Sequence, residues 1–370
     1  MNKWWISSSL LSMALLFSAC SAGGEEVKED TPKRVEDETH VVVDQLDRSV
    51  EVKQRVEDVV IGGILPQYST WYVATNSTKE IKGLHPNAYN AAEHSILAKM
   101  SPDILQADSS FVHNGEVNIE EVMKLSPDVY FELASNEKAI EQAEGAGIPT
   151  IGIQAKAYKG DPIATFESWL QITGDVANTS SRAEQFIQAQ KETKALIEEK
   201  LQEVKEPKRA MMIYQLSEDE IAIAGGMSFG HHWLQMTGAE NVAGNLKGRK
   251  AINMEQIYAW DPDIIYITNF TPTQPEDLYN NTYAGQDWSA VRAVKEGNVH
   301  KLPLGIYRSF PPNGDGPLML KWLAQHNHPD IFSFDMKEEI RSYYKEFYAY
   351  ELSDDDIHRI LHPVSEAAKW

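Results

Sequence analysis

Cysteine is nearly missing from this chain: Cys20 is the only one among 370 residues. No internal disulfide can form, and no cysteine-rich metal site is available. Basic residues are outnumbered, 34 Lys and Arg against 55 Asp and Glu, for a formal charge of −21. That balance argues against nucleic acid as a partner and against direct docking on anionic lipid, and it suits solubility at a cell surface. Beyond residue 17 no apolar run is long enough to cross a bilayer. Neither a Walker A sequence nor GxGxxG occurs, so the phosphate-cradling loops of nucleotide enzymes are missing too.

What is present begins with an address. In residues 1–19 Lys3 is the only charge, Trp4–Phe17 is largely apolar, and Ser18 and Ala19 are small. Cys20 follows where the apolar region ends. The pattern predicts a lipoprotein signal peptide over 1–19, cleavage before Cys20 and acylation of its thiol. The run Phe17-Ser18-Ala19-Cys20 departs mildly from the usual lipobox, which prefers Leu first. Residues 20–39 are small, charged and Pro-containing, which predicts a flexible tether.

The folded part says nearly the same thing twice. Residues 118–131 read NIEEVMKLSPDVYF and residues 253–266 read NMEQIYAWDPDIIY. In each copy an Asn precedes a Glu by two (Asn118 and Glu120, Asn253 and Glu255), and an apolar helical stretch runs through Pro-Asp into β-formers. The offset, 118 to 253, is 135 residues, far beyond a solenoid period. Two similar domains follow, and matched lobes enclose a cleft suited to a small molecule.

Strand and helix signals alternate on both sides of a strand-free middle, which argues for parallel sheets. Expected strands are 56–65, 81–84, 129–133 and 150–153 in the first half, after a hairpin over 40–52. In the second half they are 210–214, 221–224, 264–268 and 299–302. Residues 180–204 are rich in helix formers, with a predicted buried stripe of Ala183, Phe186, Ile187, Ala195 and Leu201. The fold class is α/β: two similar parallel-sheet lobes bridged by a long α-helix, with a ligand cleft between them. The expected division is an N-terminal lobe at 40–175, a bridging helix at 176–207, a C-terminal lobe at 208–350 and a tail at 351–370.

The order of these parts resembles the helical-backbone substrate-binding lipoproteins of ABC importers for iron–siderophores, haem and cobalamin. The resemblance covers roughly residues 40–350. It is carried by DQLDRSVEV at 44–52, VEDVVI at 56–61, both repeat copies and GIPTIGI at 147–153. Further on it rests on TGAENVAG at 237–244, DWSAVRAVKEGNVHKLP at 287–303, GPLMLKWLA at 316–324 and HPDIF at 328–332. It implies an extracytoplasmic, membrane-anchored monomer that delivers its cargo to an ABC permease dimer with a cytoplasmic ATPase. It also implies that Glu120 and Glu255 dock into basic sockets on that permease. The chemistry is sensible, since two exposed carboxylates on matched helices suit two Arg-lined hollows.

Cleft residues belong in loops after the carboxyl ends of strands. This nominates 63–72, 107–110 and 132–136 in the first lobe, with Tyr68, Trp71 and Tyr72. In the second lobe it nominates 226–232, 269–270 and 307–308, with Met227, Ser228, His231, His232, Asn269, Phe270, Tyr307 and Arg308. Aromatics offer flat binding surface, and Arg308 supplies a cation for an anionic chelate. A ferric siderophore is the expected ligand; haem, cobalamin or a nickel or cobalt chelate is the alternative. No cofactor and no direct metal ligand are expected, though His231 or His232 is placed to coordinate. His326 and His328 read as a solvated surface turn. Gly226-Met-Ser-Phe-Gly230 matches the nucleophile elbow of serine hydrolases and leaves Ser228 as a competing catalytic reading. The duplicated architecture argues against it, and the glycines read as a tight turn against the ligand.

Overall fold

A computed structural model describes residues 38–155 and 157–368. The predicted signal peptide, Cys20 and the tether up to residue 37 lie outside the described residues. The chain opens with an antiparallel hairpin, β1 (Thr39–Val43) and β2 (Ser49–Lys53). Asp44 fixes its turn by accepting from the backbone N–H groups of Leu46 and Arg48.

The first lobe is built on β3 (Val59–Ile61) and β4 (Ile81–Leu84). After a small hairpin of β5 (Val112–His113) and β6 (Glu116–Val117) come β7 (Val129–Leu133) and β8 (Thr150–Ile153). Its sheet runs β4-β3-β7-β8 and every pairing is parallel. Strands such as VVI and TIGI are buried throughout, as expected of a sheet covered on both faces.

The second lobe contains β9 (Arg209–Leu216), β10 (Ile221–Ala224), β11 (Glu240–Asn241), β12 (Arg249–Ile252), β13 (Ile264–Ile267) and β14 (Val299–Lys301). The sheet order is β12-β10-β9-β13-β14, with β11 beside the start of β9. β9, β13 and β14 are parallel, but β10 and β12 run antiparallel. The expected parallel lobe is therefore a parallel centre with an antiparallel wing. β9 and β10 are joined by a short turn in which Ser217 N donates to Glu220 O at 2.9 Å. A connection that short can only join antiparallel strands.

The strand-free middle forms two helices. Pro162–Ala177 is capped by Asp161, whose carboxylate accepts from the N–H groups of Ile163 and Ala164, and it ends at Asn178 in the left-handed region, φ 55°. The bridging helix Ser180–Lys200 follows. Its buried stripe is Ala183, Phe186, Ile187, Gln190, Thr193 and Ile197, a run of three- and four-residue steps. The expected Ala195 faces solvent, two positions from both Thr193 and Ile197, and Leu201 is half-buried. The helix packs on Gln67–Thr75 and Pro162–Ala177 at one end and on Gly316–Asn327 of the second lobe. One apolar core accordingly runs through both lobes.

The tail segment, over its described residues 351–368, is folded. The helix Asp354–Leu361 buries Ile357 and Ile360, and Asp356 pairs with Lys99 of the first lobe at 2.7 Å. Leu304 N also donates to Ile360 O at 2.9 Å. His326 and His328 are likewise not solvated. His326 Nδ1 bonds Trp322 O at 2.7 Å, and His328, buried, bonds Gly238 O at 2.9 Å.

Candidate functional site

The repeated NxE segments explain themselves first. Asn118 caps the helix Ile119–Lys124 by accepting from Glu120 N (3.0 Å) and Glu121 N (3.4 Å). Asn253 caps Met254–Trp260 by accepting from Gln256 N at 2.9 Å. Each Glu then falls in the first turn, where the helix dipole favours a carboxylate. Glu120 and Glu255 are both exposed.

Between the lobes lies a cleft of about 310 Å³. The first lobe contributes Gly63 to Pro66, Leu133, Ala155 and Trp169; the second contributes Tyr214, Ser228, Phe229, Arg249, Phe270, Tyr307 and Phe310. The wall of the second lobe is aromatic. Tyr214 and Phe270 stack with centroids 4.9 Å apart and planes 24° apart, and Phe310 meets both edge-on. The Arg249 guanidinium rests over Tyr214, 5.3 Å from its centroid, while Arg308 lies over Phe270 at 5.2 Å. Each ring of the stacked pair thus carries a cation, a favourable use of the ring quadrupole. Burial raises the Tyr214 phenol and pushes Tyr307 up to about 12, so both hydroxyls stay protonated and able to donate.

Two buried ionisable side chains, Glu132 and Lys301, fix the loops around the cleft. The Glu132 carboxylate accepts from Gly63 N at 2.8 Å and Leu133 N at 2.7 Å, and Tyr130 donates its hydroxyl to the other oxygen. A side chain at Gly63 would collide with this carboxylate, so glycine is required by close approach. Burial holds the Glu132 carboxyl above its usual range. On the other side the Lys301 ammonium donates to the carbonyls of Thr268, Thr271 and Thr273 at 3.0, 2.6 and 2.8 Å, gripping the loop that presents Phe270.

The nominated residues divide. Ser228, Phe270 and Tyr307 line the cleft. Tyr68, Trp71 and Tyr72 do not: nearly all of their helix, Gln67–Thr75, is buried between the lobes. Tyr68 backs onto Tyr307, Trp71 onto Phe131 and Tyr72 onto Tyr348. Arg308 is 1% exposed and donates from Nη2 to Ala367 O at 3.0 Å, so it supports the wall from behind. Asn269 is buried and straps β13 to β14 through Leu302 O at 2.9 Å.

Met227, 50% exposed with φ 59°, is not among the cleft-lining residues. His231 faces Asn241, Nδ1 to Nδ2 3.4 Å, and His232 Nε2 reaches across to Lys159 O of the first lobe at 3.3 Å. Neither imidazole is among the cleft-lining groups. The GxSxG turn is a helix cap: Ser228 Oγ donates to Gly225 O at 2.6 Å and accepts from His231 N at 3.2 Å. A side chain at Gly226 would strike the Gly244 carbonyl, so packing against residues 244–248 explains this glycine, not the ligand.

Tyr214, Phe310, Trp169 and Arg249 were not nominated. Tyr214 could have been found, since it sits near the carboxyl end of a predicted strand. Arg249 carried no signal: LKGRK reads as a polar loop, and only the pairing Ala224↔Arg249 brings it to the cleft.

Residues 84–304 match the family model described as periplasmic binding protein. The chain is 24% identical over 341 residues to the molybdate-binding protein MolA of Haemophilus influenzae, covering 86% of this chain and 93% of that protein. Its fold superposes on a periplasmic solute binding protein from Veillonella parvula with a TM-score of 0.80 and 32% identity, covering 88% of this chain and 97% of that one. It also superposes on Helicobacter pylori CeuE with Ni(II) bound, TM-score 0.67 and 23% identity, over 87% and 99% of the two chains. That last likeness is one of fold alone.

Proposed function

The chain belongs to the periplasmic binding protein family, as an extracytoplasmic solute-binding protein of an ABC importer, and from that premise we propose that its solute is a ferric siderophore. The family's members carry solutes and are not enzymes, and the Ser228 hydroxyl is engaged in capping a helix. The observation that carries the siderophore reading is the Arg249–Tyr214–Phe270 stack. A flat apolar wall with a cation at its edge suits an anionic chelate with an aromatic or aliphatic body. Among the described residues no group of three His, Cys, Asp or Glu side chains is arranged to hold a bare metal ion. A metal already wrapped by its chelator needs no such group.

A second reading is a small oxyanion. It is favoured by the relative named for molybdate binding. Against it stands the lining, which among the described residues has a single charged side chain, Arg249, amid Ile64, Leu65, Pro66, Leu133, Phe229 and Phe310. A compact dianion needs several donors to replace its water. Haem or a nickel chelate held by His231 or His232 would require those imidazoles to turn toward the cleft.

Trp169 lines the cleft, so ligand entry is expected to change Trp fluorescence. Titration with ferric catecholates and hydroxamates, molybdate, haem, cobalamin and nickel–histidine tests the reading. Binding of ferric chelates at low micromolar concentration or tighter supports it. Binding of molybdate or haem with no response to any ferric chelate overturns it and leaves the importer role standing. We further propose that delivery proceeds by docking of Glu120 and Glu255 on a permease dimer driven by a cytoplasmic ATPase, with the protein anchored through lipid on Cys20.

A further inference from the structure

We infer that Met123 and Tyr258 form matched apolar contacts beside the two docking carboxylates, so that the partner presents two similar sockets, each pairing a cation with an apolar hollow. The inference rests on the docking reading above. In the repeat, Met123 and Tyr258 occupy the same place, three residues after Glu120 and Glu255. Three residues along a helix is the same face, so each carboxylate has its apolar neighbour beside it. Met123 is 48% exposed and Tyr258 is 40% exposed.

The fold does not require either side chain. Core contact is made one position earlier, by Val122 at 0% exposure in the first copy and Ile257 at 0% in the second. Tyr258 has its polar end satisfied by donating to Asp287 O at 2.6 Å, which leaves the ring as the exposed part. Single exposed apolar residues are ordinary on a protein surface. Two at one position of a duplicated motif, each beside a carboxylate, are not explained by that alone. Charge agrees between the copies: Glu121 is neutralised by Lys124 at 2.6 Å, and the second copy has Gln256 in its place. Each helix therefore offers one carboxylate and one large apolar side chain. The complement is a basic group beside a hollow, presented twice by a dimeric membrane protein and attracted by a chain of net charge −21. Methionine adapts to irregular hollows, which lets two similar sockets accept both Met and Tyr.

The test measures binding of the full chain to its permease–ATPase complex in nanodiscs, which needs no solute. Met123→Gln with Tyr258→Gln is expected to weaken docking about 10-fold or more, as apolar anchors beside a charge do. Tyr258→Phe with Met123→Leu removes the hydrogen bond to Asp287 but keeps the apolar bulk, and it is expected to dock like wild type. Thermal melting of each variant separates lost docking from lost folding. If Glu120→Ala with Glu255→Ala abolishes docking while the Gln pair leaves it unchanged, the inference is wrong and the docking reading survives. If neither pair weakens docking, both fall.

Discussion

Tyr214 and Phe270 stack at 4.9 Å between centroids, and the outer ring is capped by Arg249 while the inner one is backed by Arg308. The two arginines do different work. Arg249 is held by Glu220 at 2.7 Å and by Gln215 at 2.9 Å, and it lines the cleft. Arg249→Ala is expected to weaken a ferric chelate by about 10- to 100-fold with little change in melting temperature, the scale of losing a charged hydrogen-bond partner. Arg308→Ala is expected to destabilise the fold by about 2–4 kcal/mol, since it removes a buried group bonded to the Ala367 carbonyl. Titration calorimetry and urea unfolding on both variants check this. A stable Arg308→Ala protein with lost affinity would reverse the assignment.

Charge reversal at both docking positions is expected to separate capture from delivery. Glu120→Lys with Glu255→Lys leaves the cleft untouched, so ferric-chelate affinity should match wild type. Uptake of radiolabelled iron by cells should fall to background, because a cation would meet a cation in each socket. Uptake at the wild-type rate would remove both residues from the interface.

Cys20→Ala is expected to leave the protein unprocessed or free in the medium. Mass spectrometry of the membrane fraction, looking for a diacylglyceryl group on Cys20, reads this directly. A mutant retained at the membrane like wild type would argue for another mode of attachment.

The architecture was legible in the sequence because it depends on period and repetition. The two NxE copies fixed where helix feeds strand, and 81–84, 129–133, 150–153 and 221–224 are elements with the boundaries the pattern implied. The wing of β10 and β12 was not legible. Strand direction depends on the Ser217–Glu220 turn and on pairing across the sheet, which residue alternation does not encode. The site was legible only in part for the same kind of reason. Loops after strand ends could be named, but which side chains face the cleft depends on helix rotation. Tyr68, Trp71 and Tyr72 sit in a helix buried on nearly all sides, so their aromatic character marked core packing instead of a binding face. Arg249 came from an antiparallel strand that had no signal.

Acid should destabilise the second lobe through a pair of histidines. His300 and His326 lie with ring centroids 4.3 Å apart against Trp322. Burial, with His326 adding a smaller effect, pushes the His300 pKa down to about 3, and burial also lowers His326. An unfolded histidine titrates near about 6.5. Between these values the unfolded chain takes up a proton that the folded chain refuses, so stability is lost as pH falls from about 6.5 toward 3. For His300 alone the loss by pH 4 is on the order of 3 kcal/mol. His300→Asn cannot be protonated, so its urea midpoint should change less than that of wild type between pH 7 and pH 4. The variant starts lower at pH 7 if the imidazole packing matters, but the difference between the two curves must narrow as pH falls. Parallel curves would mean that His300 titrates alike in the folded and unfolded chain, and that the imidazole pair is not the acid-sensitive element.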